Sequence, residues 1–118
     1  MMENYSGSCH CGAVTFTFTG EEIETAMRCD CSICLRKGIL LSAYTVPPEN
    51  MQIEAAEGAS QIYQFGTMKA KHHFCTTCGI HTFVETYLNP GHFRVNLGCI
   101  EGLDALDLPA KVFEGRKL

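Results

Sequence analysis

The chain has 118 residues, of which 46% are hydrophobic and 19% charged, with a formal net charge of −4. This length suits a single modest core, so we expect one domain over residues 1–118. A mildly acidic chain lacks the field that attracts phosphates, which argues against nucleic acid as a partner. Residues 1–7 lack the apolar run of a signal peptide, and the longest apolar run, residues 39–41, is too short to cross a membrane. We therefore expect a cytoplasmic protein without membrane contact.

Short strands dominate the predicted secondary structure. Val14, Phe16 and Phe18 alternate with threonines, which predicts a half-buried strand over residues 14–20. The further elements predicted are strands at residues 23–29, 39–46, 51–54, 61–65, 69–74 and 111–113, and a helical or irregular turn at 103–108. Many short strands separated by Gly and Pro indicate a mainly β fold.

Turn signals place two more elements. Residues 82–87 and 92–97 flank the sequence Asn-Pro-Gly at 89–91, which is a strong turn signal, and therefore predict a hairpin. Residues 32–37 predict a short helical turn that ends at Gly38, because glycine adopts the left-handed conformation in which helices commonly end.

Seven of the eight cysteines fall into three groups, which are Cys9 and Cys11; Cys29, Cys31 and Cys34; and Cys75 and Cys78. Thiols one or two residues apart are typical of thiolate metal ligands, and zinc is the metal that suits them best. An even number of cysteines also permits a disulfide framework, but the short spacings and the lack of an export signal argue against it. A redox-active C-x-x-C motif is the alternative for the third group.

The seven thiols divide naturally into four and three, because four thiolates close a zinc shell and three leave it open. Cys9 and Cys11, two apart in an extended strand, would point their sulfurs the same way. Cys75 and Cys78 would complete a structural site with them, and Gly79 supports this because a positive φ there turns amides toward the sulfurs. Structural zinc contributes on the order of 10 kcal/mol to the stability of a small domain.

The remaining group, Cys29, Cys31 and Cys34, would hold a second zinc with one position free. An open position suits a substrate thiol, whose pKa the metal lowers before the thiolate meets an electrophile. Two alternatives stay open at this point. One is a closed site completed by a histidine or by Cys99, and the other is a set of reduced thiols without metal.

Basic residues lie near the cysteine groups, namely Arg36, Lys37, Lys69 and Lys71. An anionic thiol such as glutathione has carboxylates that these charges could meet, although a solvated surface is the more common role. His72 and His73 are consecutive in a predicted strand, so we expect one of them inside and the other in solvent.

Three ordered blocks, residues 7–14 (GSCHCGAV), 29–38 (CDCSICLRKG) and 74–79 (FCTTCG), resemble the signature blocks of the glutathione-dependent formaldehyde-activating enzyme family, which also includes centromere protein V. The similarity extends to residues 94–100 (RVNLGCI) and so spans nearly the whole chain. The resemblance implies a small zinc-stapled domain of coiled antiparallel sheets. The chain differs from the founding enzymes of that family in being shorter and in lacking tryptophan.

The resemblance also implies site residues and chemistry. It implies a structural zinc on Cys9, Cys11, Cys75 and Cys78, and an exchangeable zinc at a catalytic site formed by Cys29, Cys31 and Cys34. The implied activity is carbon–sulfur bond making and breaking, in which formaldehyde and glutathione form S-hydroxymethylglutathione. We therefore predict a zinc-dependent carbon–sulfur lyase for thiol–aldehyde adducts, with a small thiol such as glutathione as its partner.

Cys99 is the remaining thiol, and it is predicted late in an apolar strand, where a small buried hydrophobe is the commonest role. A nucleophilic Cys99 would instead indicate an enzyme similar to the methionine-R-sulfoxide reductases, whose metal pairs are however both C-x-x-C. A non-catalytic, zinc-stabilised binding module is the third hypothesis, and it needs only the four-thiolate site. The sequence carries no signal for the oligomeric state.

Overall fold

The structure is a computed structural model that describes residues 2–117, so the first and last residues of the predicted domain lie outside the described part. The strands are β1 (Met2–Ser8), β2 (Val14–Glu21), β3 (Ala26–Cys29), β4 (Leu41–Ser42), β5 (Met51–Ala55), β6 (Ser60–Tyr63), β7 (Lys71–Cys75), β8 (His81–Glu85), β9 (Phe93–Val95) and β10 (Ala110–Phe113). Helix α1 is Ser32–Lys37, and the 3₁₀ turns are Pro48–Asn50, Leu97–Cys99, Ala105–Asp107 and Gly115–Lys117.

The described strands form three small sheets, ordered β1-β2-β5, β10-β3-β4 and β6-β7-β8-β9. Their pairings are antiparallel except for β10 with β3, which run parallel. The mainly β prediction is confirmed, with one parallel pair in addition to the expected antiparallel sheets. Within residues 2–117, no helix has the length and hydropathy needed to cross a lipid bilayer.

Aromatic side chains join two of the sheets in the main hydrophobic core. Phe16 on β2 and Phe83 on β8 are fully buried, and their rings meet edge to face with centroids 5.5 Å apart. Phe93 on β9 also meets Phe83 edge to face, at 5.4 Å. Each such pair adds about 0.5–1.5 kcal/mol beyond the burial of its area. This core fixes β2 against β8, and cysteine groups flank both strands.

Several predicted elements are confirmed. Strand β2 buries Val14, Phe16 and Phe18 in alternation, as the sequence pattern predicts. The predicted hairpin is present, with β8 paired antiparallel to β9. Helix α1 ends at Gly38, which has a φ of 63° and donates its N–H to the carbonyl of Cys34 at 3.0 Å.

Two elements differ from prediction. The sequence pattern does not predict β1, because Gly7 is the one buried residue of this strand, which pairs with β2 along its whole length. The strand predicted at residues 39–46 is mostly irregular, since β4 has only two residues and Val46 makes an isolated bridge to Phe93. The apolar character of that segment therefore reflects burial in the core rather than continuous strand pairing.

Candidate metal centres and active site

Four cysteine sulfurs from two distant parts of the chain meet at one point. Cys9 and Cys11 lie between β1 and β2, whereas Cys75 ends β7 and Cys78 lies in the turn after it. All four Sγ atoms lie within 4.8 Å of one another. The Cys9–Cys11 and Cys11–Cys75 sulfur separations are 3.7 and 3.6 Å. Because sulfurs about 2.3 Å from a tetrahedral zinc lie about 3.8 Å apart, this group fits a zinc ion.

The first pair of sulfurs converges through a loop. The expectation that Cys9 and Cys11 belong to an extended strand is wrong, since residues 9–13 form an irregular loop between β1 and β2. Gly12 has a φ of 85° within this loop, a conformation that glycine adopts without strain. The N–H of Val14 donates to the sulfur of Cys9 at 3.3 Å. A tight turn, rather than strand alternation, therefore directs both sulfurs to one side.

Backbone amides surround the second pair of thiols. The N–H groups of Thr77 and Cys78 donate to the sulfur of Cys75 at 3.4 and 3.5 Å. Gly79 has a φ of 77°, as the C-x-x-C-G pattern predicts. The N–H of Ile80 lowers the pKa of the Cys78 thiol to about 6. Since the thiolate is the form that binds metal, these amides favour a metal site.

The three-cysteine group is built by β3, by α1 and by the turn between them. Cys29 is the last residue of β3, Cys31 directly precedes α1, and Cys34 is buried within the helix. Their three sulfurs lie within 4.8 Å of one another. A hydrogen bond between Cys34 and Cys29 lowers the pKa of the Cys29 thiol to about 6 and raises the pKa of Cys34. Cys29 therefore becomes a thiolate before Cys34 does.

The same three sulfurs face a cavity of about 350 Å³. Among residues 2–117, no His, Cys, Asp or Glu atom joins them as a fourth ligand within 4.8 Å, and Cys99 in particular stays outside the group. The apolar walls of the cavity include Met27, Leu41, Val84 and Phe113. This arrangement suits a metal ion that keeps one position for a molecule entering the cavity.

A C-terminal turn covers the three-cysteine group. Gly115 is buried there, and an added Cβ would come within 3.0 Å of the Cys29 sulfur and 3.3 Å of Cys31 Cβ. The N–H of Arg116 donates to Asp30 at 2.9 Å, and the Arg116 guanidinium pairs with the same carboxylate at 3.1 Å. Residues that follow β10 thus complete the site.

Comparison with known proteins places this architecture in a family. A family model described as glutathione-dependent formaldehyde-activating enzyme matches residues 4–116. The chain belongs to this family. A crystal structure of a Rhodobacter sphaeroides protein, solved as a structural genomics target, is 36% identical with a TM-score of 0.80. That match covers 90% of this chain and 99% of the other. Membership of the formaldehyde-activating family supports enzymatic activity and a glutathione-type thiol substrate.

A lysine–histidine cluster beside the three sulfurs is a feature of this family member that the sequence analysis missed. Lys37 Nζ lies 3.0 Å from Nδ1 of both His72 and His81. Because an ammonium group only donates, both rings accept through Nδ1 and carry their proton on Nε2. Burial lowers the pKa of Lys37 to about 8 and that of His72 to about 4. The one available sequence signal is the i,i+3 spacing of Cys34 and Lys37 on α1, which puts both on one helix face.

The other basic residues considered as anion partners lie on the surface. Arg36 is exposed and donates to a carbonyl of its own helix at 2.9 Å. Lys71 is exposed and pairs with Glu85 at 3.9 Å. Lys69 is exposed as well, with its ammonium 5.1 Å from the ring centre of Tyr87. Their exposure agrees with the solvated-surface alternative.

Cys99 and His73 differ from expectation. Cys99 lies in a 3₁₀ turn rather than a strand, and burial raises the pKa of its thiol to about 11, which disfavours a nucleophilic thiolate at neutral pH. The side chain of His73 is only 13% exposed, and its Nε2 lies 3.2 Å from Glu85. Both faces of β7 are covered, because the His72 ring stacks on Phe65 and the His73 ring meets Phe83, so both histidines lie inside.

Proposed function

We propose that this chain is a zinc-dependent carbon–sulfur lyase that makes and breaks thiol–aldehyde adducts of the S-hydroxymethylglutathione type. The observation that carries the proposal is the convergence of three cysteine sulfurs on one cavity, without a fourth ligand from residues 2–117. Membership of a family named for activating formaldehyde with glutathione supports the same chemistry.

The two cysteine groups have different roles in this proposal. Cys9, Cys11, Cys75 and Cys78 hold a structural zinc, and Cys29, Cys31 and Cys34 hold an exchangeable zinc at the catalytic site. A zinc ion in the three-thiolate site would lower the pKa of an incoming thiol, which is the chemistry that the metal supplies. Both groups belong to a single cytoplasmic domain in this proposal.

The residues of the chain bind and orient the adduct. In the forming direction a sulfur–carbon bond forms, the carbonyl π bond breaks and the thiol proton ends on the carbonyl oxygen, so no oxidant is needed. Met27, Leu41 and Phe113 exclude bulk water from the reacting atoms. Lys37, held by two neutral histidines beside the three sulfurs, adds a positive charge that favours thiolate over thiol.

The Cys31→Ser variant tests the catalytic role of the three-cysteine group. It replaces one sulfur by oxygen with little change of volume, so the fold should persist while the site loses a thiolate ligand. We expect loss of S-hydroxymethylglutathione turnover, followed by NMR, with an unchanged circular dichroism spectrum. Cys99→Ser is the matched control outside both groups and should keep turnover. Full activity of Cys31→Ser would refute the proposal, and methionine sulfoxide reduction that depends on Cys99 would favour a reductase instead.

A further inference from the structure

One full positive charge faces the cavity of the three sulfurs. Among the described residues that line this cavity, Arg94 on β9 is the one permanent cation. Its guanidinium donates to the carbonyl of Ser42 at 2.9 Å and lies 5.9 Å from the ring centre of Phe113. It is close enough to Cys29 for the two groups to interact electrostatically. Arg94 is thus fixed in the same cavity as the candidate catalytic sulfurs.

Arg94 has no carboxylate partner within residues 2–117, where the ion pairs involve other basic side chains. The acid next to Cys29 in the sequence, Asp30, is already paired with Arg116. Arg94 is half-buried, so its guanidinium has lost part of its hydration, and burial lowers its pKa. A guanidinium has five N–H donors in a planar fork that matches a carboxylate, and the hydrogen bond to Ser42 uses one of them.

We propose that Arg94 binds a carboxylate of the substrate thiol. This inference rests on the proposed function, because the sulfur of the same molecule must reach the three cysteines. Apart from Arg94 and the three sulfurs, the cavity has uncharged walls, with apolar side chains such as Val84 and polar ones such as Thr86. Its volume of about 350 Å³ lies near the lower end of small-molecule sites.

N-acetylcysteine has one carboxylate and one sulfur on a short skeleton. It therefore isolates the contact proposed for Arg94.

The test uses N-acetylcysteine and its amide as matched thiols with formaldehyde. Wild-type kcat/KM should favour the acid by about 10- to 100-fold, the usual value of one charge-assisted pair. Arg94→Gln keeps an N–H for Ser42 but removes the charge, and should raise KM for the acid while leaving the amide unchanged. Arg94→Lys should retain part of the preference. Arg36→Gln removes an equal charge from the exposed face of α1 and should retain all of it.

Two results would overturn the inference. Arg94→Gln could impair acid and amide equally, which would give Arg94 a structural role only. Arg36→Gln could abolish the preference, which would place the carboxylate outside the cavity.

A sulfur-free probe separates this inference from the proposed function. N-acetylalanine carries the same carboxylate but cannot form an adduct, so its binding to zinc-loaded protein, measured by NMR titration, reports on Arg94 alone. Binding that is 10- to 100-fold weaker in Arg94→Gln would support the carboxylate site even if no adduct were turned over. Equal binding by both proteins, or none by either, would overturn the site while leaving adduct turnover as a separate result.

Discussion

Gly115→Ala should inactivate the enzyme while leaving its fold almost as stable as wild type. The new Cβ would lie within 3.0 Å of the Cys29 sulfur, whereas non-bonded heavy atoms are at their optimum about 3.5–4.0 Å apart. The sulfur must therefore withdraw by more than about 0.5 Å. Metal–ligand distances tolerate only about 0.2 Å, so Cys29 would leave the three-sulfur site.

The cost to stability is small because the atom in the way is the end of a side chain. Rotation of Cys29 away from its preferred geometry costs about 0.5–1.5 kcal/mol. Gly7→Ala is the matched control, because its Cβ would lie 2.7 and 2.8 Å from two ring carbons of Phe16. That ring is fully buried and cannot withdraw, so overpacking should cost about 1–3 kcal/mol without moving any of the three sulfurs.

The two variants should thus separate activity from stability. Urea unfolding gives the free energy of unfolding, metal analysis after equilibration with zinc gives the stoichiometry, and NMR gives adduct turnover. We expect Gly115→Ala to lose adduct turnover and one zinc per chain. We expect Gly7→Ala to have a lower free energy of unfolding but to keep its turnover and its zinc content when folded. A Gly115→Ala protein with full turnover and unchanged zinc content would refute the steric reasoning.

Three further predictions concern the scaffold. Cys78→Ser should cost several kcal/mol of the about 5–15 kcal/mol that holds a domain folded. Circular dichroism should show an unfolded chain and metal analysis should show less bound zinc, whereas a folded variant would contradict the structural role of its group. Burial lowers the pKa of His72 to about 4, so below pH about 6.5 the unfolded chain binds a proton that the folded chain does not. Stability should therefore fall between pH about 6.5 and 4, by up to about 1.4 kcal/mol per unit, and the wild-type advantage over His72→Gln in urea unfolding should shrink with it; parallel pH profiles would argue against this cause. Thr82 is fully buried and its hydroxyl has no hydrogen-bond partner in the described structure, so Thr82→Val should raise the free energy of unfolding by about 1 kcal/mol, and a lower value would indicate an unseen partner.

Local spacing was enough to group the cysteines. In the structure, the sulfurs of the C-x-C and C-x-x-C motifs form the predicted group of four, and those of the C-x-C-x-x-C motif form the predicted group of three. Zinc binding by either group stays a prediction. The α1 turn and the β8–β9 hairpin were equally accessible, because Gly38 and the Asn-Pro-Gly turn are local signals. What these features share is that neighbouring residues decide them.

The groups around the three-cysteine site depend on contacts between distant residues, which leave no local signal in the sequence. Lys37 meets His81 across 44 residues, and Arg94 meets Ser42 across 52. The sequence alone cannot show that these side chains point inward, because an isolated basic residue is usually solvated. The edge strand β1 was not predicted for a related reason. Most of its side chains face solvent, so its sequence has no alternating hydrophobic pattern.

The parallel pairing of β10 with β3 bears on the order in which the two centres can be assembled. A nascent chain of 78 residues already carries every sulfur of the four-cysteine group. The three-cysteine group lacks its cover until Phe113 and Gly115 have been synthesised and docked against Cys29. Strand β10 and the turn after it therefore convert a cluster of sulfurs that is complete by residue 34 into one wall of a cavity.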